Sequence, residues 1–313
     1  MITAAPLPVG AIEAGGTKFV CAVGSGPDDL VRTEFSAGDD PQQVLSLATG
    51  WLQAQRVGRR RVAAIGVGCF GPLDLNPRSP TYGHITSTPK PGWSMFDVVG
   101  TVRRAFADIP VALDTDVNAA AMGEWRWGQG MGLSDLVYLT IGTGIGGGAI
   151  VGGRLVHGLV HPEMGHMLLP RLPGDTFKGI CPFHGDCWEG LCSGSALEAR
   201  YGQPASSLPK DHEAWSLEAH YSALALANLV LTLSPQRVII GGSVRKAGGL
   251  GSEGFFELVR DRLKAALGGY VVSPALDSGI DSYIVPPRLG DDAGVCGAIA
   301  LAQDALAASC PAE

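Results

Sequence analysis

Three possible metal ligands, Cys181, His184 and Cys187, fall within seven residues at C-x2-H-x2-C spacing, on a loop that contains glycine and proline. A short loop of this kind can fold back and point thiolates and an imidazole at one centre. His166 completes a set of four, and His161 is a fifth candidate. Zinc prefers four tetrahedral nitrogen and sulfur ligands, and a closed Cys2His2 set leaves no position for water, so the expected chemistry is structural. Two carboxylates, Glu163 and Glu189, bracket the loop. Ionised carboxylates only accept hydrogen bonds, so a pair fixed by one metal clamp suits a ligand rich in hydroxyls. The plainer alternative is a pair of solvated surface charges.

Other stretches offer backbone rather than side chains. VGAIEAGGTKFVCAVG, residues 9–24, reads as strand, glycine turn, strand, with Gly15, Gly16 and Thr17 at the corner. Such a corner exposes backbone N–H groups and a hydroxyl, which is what a phosphate needs. LVYLTIGTGIGGGAIV, residues 136–151, repeats the arrangement. Either turn alone could be an ordinary hairpin. Together they point to an internal duplication, with two tips holding a nucleotide phosphate chain between two domains. The buried run Val238–Ile240 ends in Gly241-Gly242, where a base or ribose could lie against backbone, or where the chain simply turns into a helix. The segment Asp114-Thr115-Asp116-Val117-Asn118 closes a strand just before a helical stretch at 119–127. Polar groups at the carboxyl end of a strand in an α/β sheet are where ligands bind, although Asp116 or Asn118 could instead cap that helix.

The elements that position these groups are legible from period and punctuation. Asp39, Asp40 and Pro41 mark a helix start, followed by Val44, Leu45, Ala48, Trp51 and Leu52 at helical spacing. The apolar run Val62–Val67 predicts a buried strand that ends in the turn Gly68-Cys69-Phe70-Gly71-Pro72. Residues 79–93, SPTYGHITSTPKPGW, are too rich in proline, glycine and hydroxyls for regular structure. Loops of that length are usually functional or mobile, so His84, Thr86, Lys90 and Trp93 could reach a substrate or belong to a plain surface loop. Helical periodicity returns at 95–106, a strand at 109–114, and helices at 193–200, 212–232 and 293–308, the last with apolar faces that ask for burial. Ile284-Val285-Pro286-Pro287 predicts an edge strand.

The 313 residues suffice for two domains with real cores. A composition 46% hydrophobic and 17% charged excludes a disordered chain. The net charge of -7, with no basic block beyond Arg59-Arg60-Arg61, speaks against nucleic acid as a partner. Seven cysteines, mostly scattered, favour reduced thiols in a cytoplasm over a disulfide framework. The uncharged stretch 136–153 reads as a buried hairpin rather than a membrane span, because seven glycines interrupt it.

With EAGGTKF, DTDVNAAAMGE, IGTGIGGG, HPEMGH with CPFHGDCWEG, and IIGGSV all in order from Gly10 to about Ala308, the chain resembles the ROK family of repressors and sugar kinases, and within it the bacterial fructokinases. That resemblance implies an α/β, actin-like (ribonuclease H-like) fold of two duplicated domains, 1–117 plus 292–313 and 118–291, closing a cleft over ATP-Mg2+ and a hexose, with hinges near 114–118 and 289–294. It implies that Asp116 is the general base for the sugar's primary hydroxyl. Glu163, His166, Glu189, Asn118, Gly71 and His84 would line the sugar, and Gly15, Gly16, Thr17, Lys18, Gly142, Thr143, Gly144, Gly241 and Gly242 would hold ATP. His166, Cys181, His184 and Cys187 would bind structural Zn2+, and the protein would be a cytoplasmic homodimer. Three residues depart from the family's pattern: Glu13 for Asp, Thr115 for a sugar-contacting Asn, and His184 for a zinc-loop cysteine. Mannokinase, glucokinase or broad hexokinase activity are alternatives within the family, and a non-catalytic sugar-binding or regulatory protein is the alternative outside it. A repressor is disfavoured because nine residues before Gly10 are too few for a helix-turn-helix.

Overall fold

The structure is a computed structural model that describes residues 7–56 and 62–309, so the Arg59–Arg61 block lies outside the described residues. The chain forms two compact units. One comprises Met1–Gly132, Leu155–Pro162 and Arg288–Glu313, and the other comprises Leu133–Arg154 and Glu163–Pro287.

The first unit is built on strands β1 (Val9–Ala14), β2 (Lys18–Gly24), β3 (Val31–Ser36), β4 (Ile65–Cys69) and β5 (Val111–Thr115), in the sheet order β3-β2-β1-β4-β5. The hairpin pairs are antiparallel, and β1, β4 and β5 run parallel. Successive side chains of a strand point to opposite faces, and β1 and β2 divide their apolar residues accordingly. Ile12, Ala14, Phe19, Cys21 and Val23 pack under α1 (Pro41–Ala54) and α2 (Val98–Ala105). Val9, Ala11, Val20 and Ala22 face Val295, Ala298, Ile299 and Ala302 of the last helix, α9 (Ala293–Ser309). An all-round apolar helix must be buried, and α9 meets that demand by returning to the first sheet. There it crosses α3 (Asp116–Trp127) so closely that a side chain on Gly297 would run into the Ala119 carbonyl. Buried Glu124 of α3 accepts from Arg288 N at 3.1 Å and Leu289 N at 2.7 Å, which ties the chain down just before α9 begins.

The second unit repeats the plan. Strands β6 (Leu136–Ile141), β7 (Ile145–Val151), β8 (Arg154–Leu155), β9 (Arg237–Gly241) and β10 (Ile284–Val285) are ordered β8-β7-β6-β9-β10, again first strand central, an antiparallel hairpin on one side and parallel strands on the other. The 136–153 stretch is therefore a hairpin, and β10 lies at the sheet edge as its prolines require. Helices α4 (Trp188–Cys192), α5 (Gly194–Tyr201), α6 (Glu213–Leu233), α7 (Gly251–Leu267) and α8 (Ile280–Tyr283) complete it. Among the described residues no helix is long and apolar enough to cross a membrane.

Several expectations shift. The strand expected at Val62–Val67 runs instead from Ile65 to Cys69, because Val62 and Ala64 are buried ahead of the ladder that begins at Ile65. The boundary placed at 117 differs from the compact units, since α3 packs on α9 and β4 of the first unit and Leu155–Pro162 also joins it. Trp93 is not a surface group of the 79–93 loop. It is fully buried against Phe19, Phe70 and Phe96.

Candidate active site and metal centre

Sheet register decides what stands together in the first unit. Ala14 pairs with Cys69 and Cys69 with Thr115, so β1, β4 and β5 end level with one another. The Gly15–Lys18 turn, the Phe70-Gly71 turn and the start of α3 therefore share one carboxyl edge. The turn is closed by Gly15 N donating to Lys18 O at 3.0 Å, and Gly16 and Thr17 are exposed at its tip. Lys18 points its ammonium to Glu34 at 3.1 Å.

Neither Asp116 nor Asn118 caps α3. Thr115 does so, its side chain accepting from Asn118 N at 3.1 Å. Asp116 is thereby left as the first helical residue, its Oδ1 accepting from Val117 N at 2.9 Å. Burial pushes its carboxyl up to about 6, with the backbone amides opposing. Glu13 is raised to about 7, chiefly by burial and then by the charge of Asp116, while Lys18 and the Val295 amide oppose the rise. Glu13 Oε2 is buried without a hydrogen-bond partner. Asn118 is buried and donates to Asp114 Oδ1 at 2.7 Å, and its own Oδ1 has no partner. Asp114 Oδ2 lies 2.8 Å from His157 Nε2, a bond that raises the His157 pKa.

His161, the fifth ligand candidate, is not at the metal centre. Its Nε2 accepts from Leu73 N at 2.9 Å beside Gly71, and desolvation keeps the ring neutral as an acceptor. His84 is bridged to Asp97 through backbone, with Nδ1 buried and unpartnered 4.0 Å from its carboxylate. Lys90 donates to Gly16 O and lies 5.4 Å from the Phe70 ring centroid.

In the second unit Thr140 of β6 pairs with Gly241, so the Gly142–Gly144 turn and the Gly241–Ser243 turn leave the sheet at the same edge. Gly242 has φ +86 and no space for a side chain against the Ile141 backbone, so only glycine fits there. Thr143 is exposed at its turn. A 3-10 turn at Met164–His166 carries the zinc-side histidine and follows exposed Glu163. Met164 seats it on β7, where a side chain at Gly147 would strike it.

His166, Cys181, His184 and Cys187 each bring one ligand atom within 4.8 Å of all the others. Cys181 Sγ is 3.6 Å from Nδ1 of both His166 and His184, and Cys187 Sγ is 3.5 Å from Nδ1 of His166. Tetrahedral zinc, with bonds of about 2.3 Å to sulfur and about 2.0–2.1 Å to nitrogen, sets sulfur and nitrogen ligands about 3.5 Å apart. The donor set fits zinc. The covered carboxylate of half-buried Asp175 steadies the loop, accepting from Arg200 at 2.7 and 3.1 Å and from the Tyr221 hydroxyl at 2.7 Å.

Residues 9–305 match the ROK family. The chain belongs to the ROK family. A putative fructokinase of Bacillus subtilis (strain 168) is 44% identical over 301 residues, covering 96% of this chain and 97% of its own. The fructokinase of Pediococcus pentosaceus is 40% identical over 298 residues, covering 95% and 98%. A ROK hexokinase from Thermus thermophilus superposes with a TM-score of 0.74 at 29% identity, covering 95% of this chain and 98% of that one. The two sheets are those of the actin-like fold that this family of sugar kinases shares.

Sequence reasoning located the two glycine turns and the grouping of His166, Cys181, His184 and Cys187, but missed His157 and the anchoring contacts of Glu124. No spacing rule connects His157 to Asp114, 43 residues away. Glu124 closed the DTDVNAAAMGE motif, and its position inside a motif was the one signal available.

Proposed function

We propose that this protein transfers the γ-phosphoryl group of ATP to the 6-hydroxyl of D-fructose. The sugar rests on one observation: five fructokinases, one of them described as putative, are 36–44% identical over 90–96% of this chain, whereas the glucokinases fall to 27%. Asp116 is the general base. It takes the hydroxyl proton as the new oxygen–phosphorus bond forms and the bond to the β-phosphate oxygen breaks, with ADP leaving. A positioned base contributes about 10²–10⁴-fold in rate, and phosphoryl transfer otherwise needs positioning and charge stabilisation.

The glycine turns at 15–17 and 142–144 present backbone N–H groups to the phosphates, and Gly241-Gly242 takes the adenosine side. Glu13, with one buried oxygen that has no hydrogen-bond partner, would hold the water shell of Mg2+, an ion that would neutralise phosphate charge. Glu163, His166 and Glu189 accept from and donate to sugar hydroxyls, with Asn118, Gly71 and His84 assigned to the same ligand. His166, Cys181, His184 and Cys187 would hold Zn2+, which would fix the loop that carries Glu189 without entering the chemistry. Six buried free cysteines among the described residues support a reducing, cytoplasmic setting. A homodimer is the assembly that family membership suggests, and sedimentation checks it.

The deciding assay follows ADP release with ATP, Mg2+ and, separately, fructose, mannose, glucose and N-acetylmannosamine. Fast turnover on fructose is expected. Turnover mainly on another hexose would overturn the sugar assignment, and sugar binding without turnover on any of them would overturn catalysis.

A further inference from the structure

Glu189 is assigned to the sugar, yet one of its oxygens is already engaged elsewhere. Oε2 accepts from Ile145 N at 2.8 Å, the first amide after the Gly142–Gly144 turn. A side chain at Gly144 would stand 2.6 Å from the same oxygen, so the turn sits directly on the carboxylate. The segment that follows Glu189 holds the other leg, with Gly194 N donating to Gly142 O at 2.7 Å. Gly142 N closes the turn on Gly144 O at 2.9 Å, and Ser193 N is bonded to Glu189 O at 3.0 Å. On its other side Glu189 is two residues from Cys187 of the metal loop, and Trp188 N is bonded to Met167 O at 2.9 Å, one residue beyond His166.

We propose that Glu189 is a positioning residue for the nucleotide as well as a sugar ligand. One oxygen holds the second phosphate turn in its binding shape through Ile145 N, and the second is left for a sugar hydroxyl. A hydrogen bond from a backbone amide to a carboxylate is among the stronger neutral-to-charged contacts, and here it adds to the Gly194 N–Gly142 O and Gly142 N–Gly144 O bonds that shape the turn. A sugar that fixes the carboxylate therefore also stiffens the phosphate turn, so sugar and nucleotide bind with positive coupling. Both the nucleotide role and the sugar role in this inference rest on the kinase reading. The contact with the turn does not.

Calorimetric titration of the full chain with ADP in the absence of sugar tests it. Glu189→Ala is expected to bind ADP about tenfold more weakly, the loss that follows from removing one such hydrogen bond. Glu189→Gln keeps an acceptor of the same reach and is expected to stay within about twofold of wild type for ADP while losing fructose affinity. Repeating the wild-type titration with saturating fructose reads the coupling, and tighter ADP binding is expected when the sugar is present. Unchanged ADP affinity in Glu189→Ala, a Gln variant as weak for ADP as the Ala variant, or a wild-type ADP affinity indifferent to fructose overturns the proposal. Wild-type turnover on the sugar panel tests the kinase reading separately, so failure of the coupling is distinguishable from failure of that reading.

Discussion

Asp116→Asn should make the metal-free protein more stable and nearly inactive. Burial raises the Asp116 carboxyl from 3.8 to about 6. At about 1.4 kcal/mol per pH unit, keeping it ionised in the folded state at pH 7 costs up to about 3 kcal/mol. Asparagine has nearly the same shape, retains an oxygen for Val117 N, and carries no charge. Relief of the charge also lets the neighbouring Glu13 ionise more easily, since Asp116 is the second cause of its rise to about 7. The gain at pH 7 should appear as several degrees in melting temperature.

Its pH dependence has a definite sign. Below about pH 4 the proton is bound in both folded and unfolded wild type, so the two proteins should melt together. Between about 4 and 6 the unfolded chain loses the proton first, and wild type falls progressively behind the variant. Above about pH 6 the gap is constant apart from the Glu13 contribution. Melting curves of both proteins from pH 4 to 8, with initial rates in parallel, supply the check. A rate loss of 10²–10⁴-fold should accompany the stabilisation, and wild-type kcat/KM for fructose should decline as pH falls through about 6. A variant less stable than wild type at pH 7, a gap that ignores pH, or activity within tenfold of wild type would refute the reasoning.

Two further predictions concern the metal and the helix crossing. Verified removal of zinc should raise KM for fructose and lower the melting temperature together, because a metal on His166, Cys181, His184 and Cys187 would order the loop proposed to carry Glu189, and unchanged kinetics in a zinc-free sample would sink that role. Gly297→Ala should cost about 1–3 kcal/mol in urea unfolding, since the added carbon meets the Ala119 carbonyl of α3 rather than a side chain that can rotate away; a variant of wild-type stability would show that the two helices can separate at no cost.

Local patterns decided much of this protein. Glycine corners between alternating apolar runs announced both hairpins. Asp40-Pro41 and Ser193 announced two helix starts, and Cys181, His184 and Cys187 announced a cluster of possible metal ligands, because turn chemistry, capping and ligand spacing all act over a few residues. Only the tertiary structure decided which polar groups meet across long separations. It took His161 to Leu73 rather than to the metal and set His157 on Asp114. Trp93 became core, and one oxygen of Glu189 went to the second phosphate turn. The physical reason is that a hydrogen-bond partner is chosen by where buried strands and helices end, and that depends on sheet order and packing that no local window of residues contains. Thr115 displaced Asp116 as the helix cap for the same reason in miniature: the end of β5 set which side chain reached the free amide, and Asp116 became the first residue of the helix.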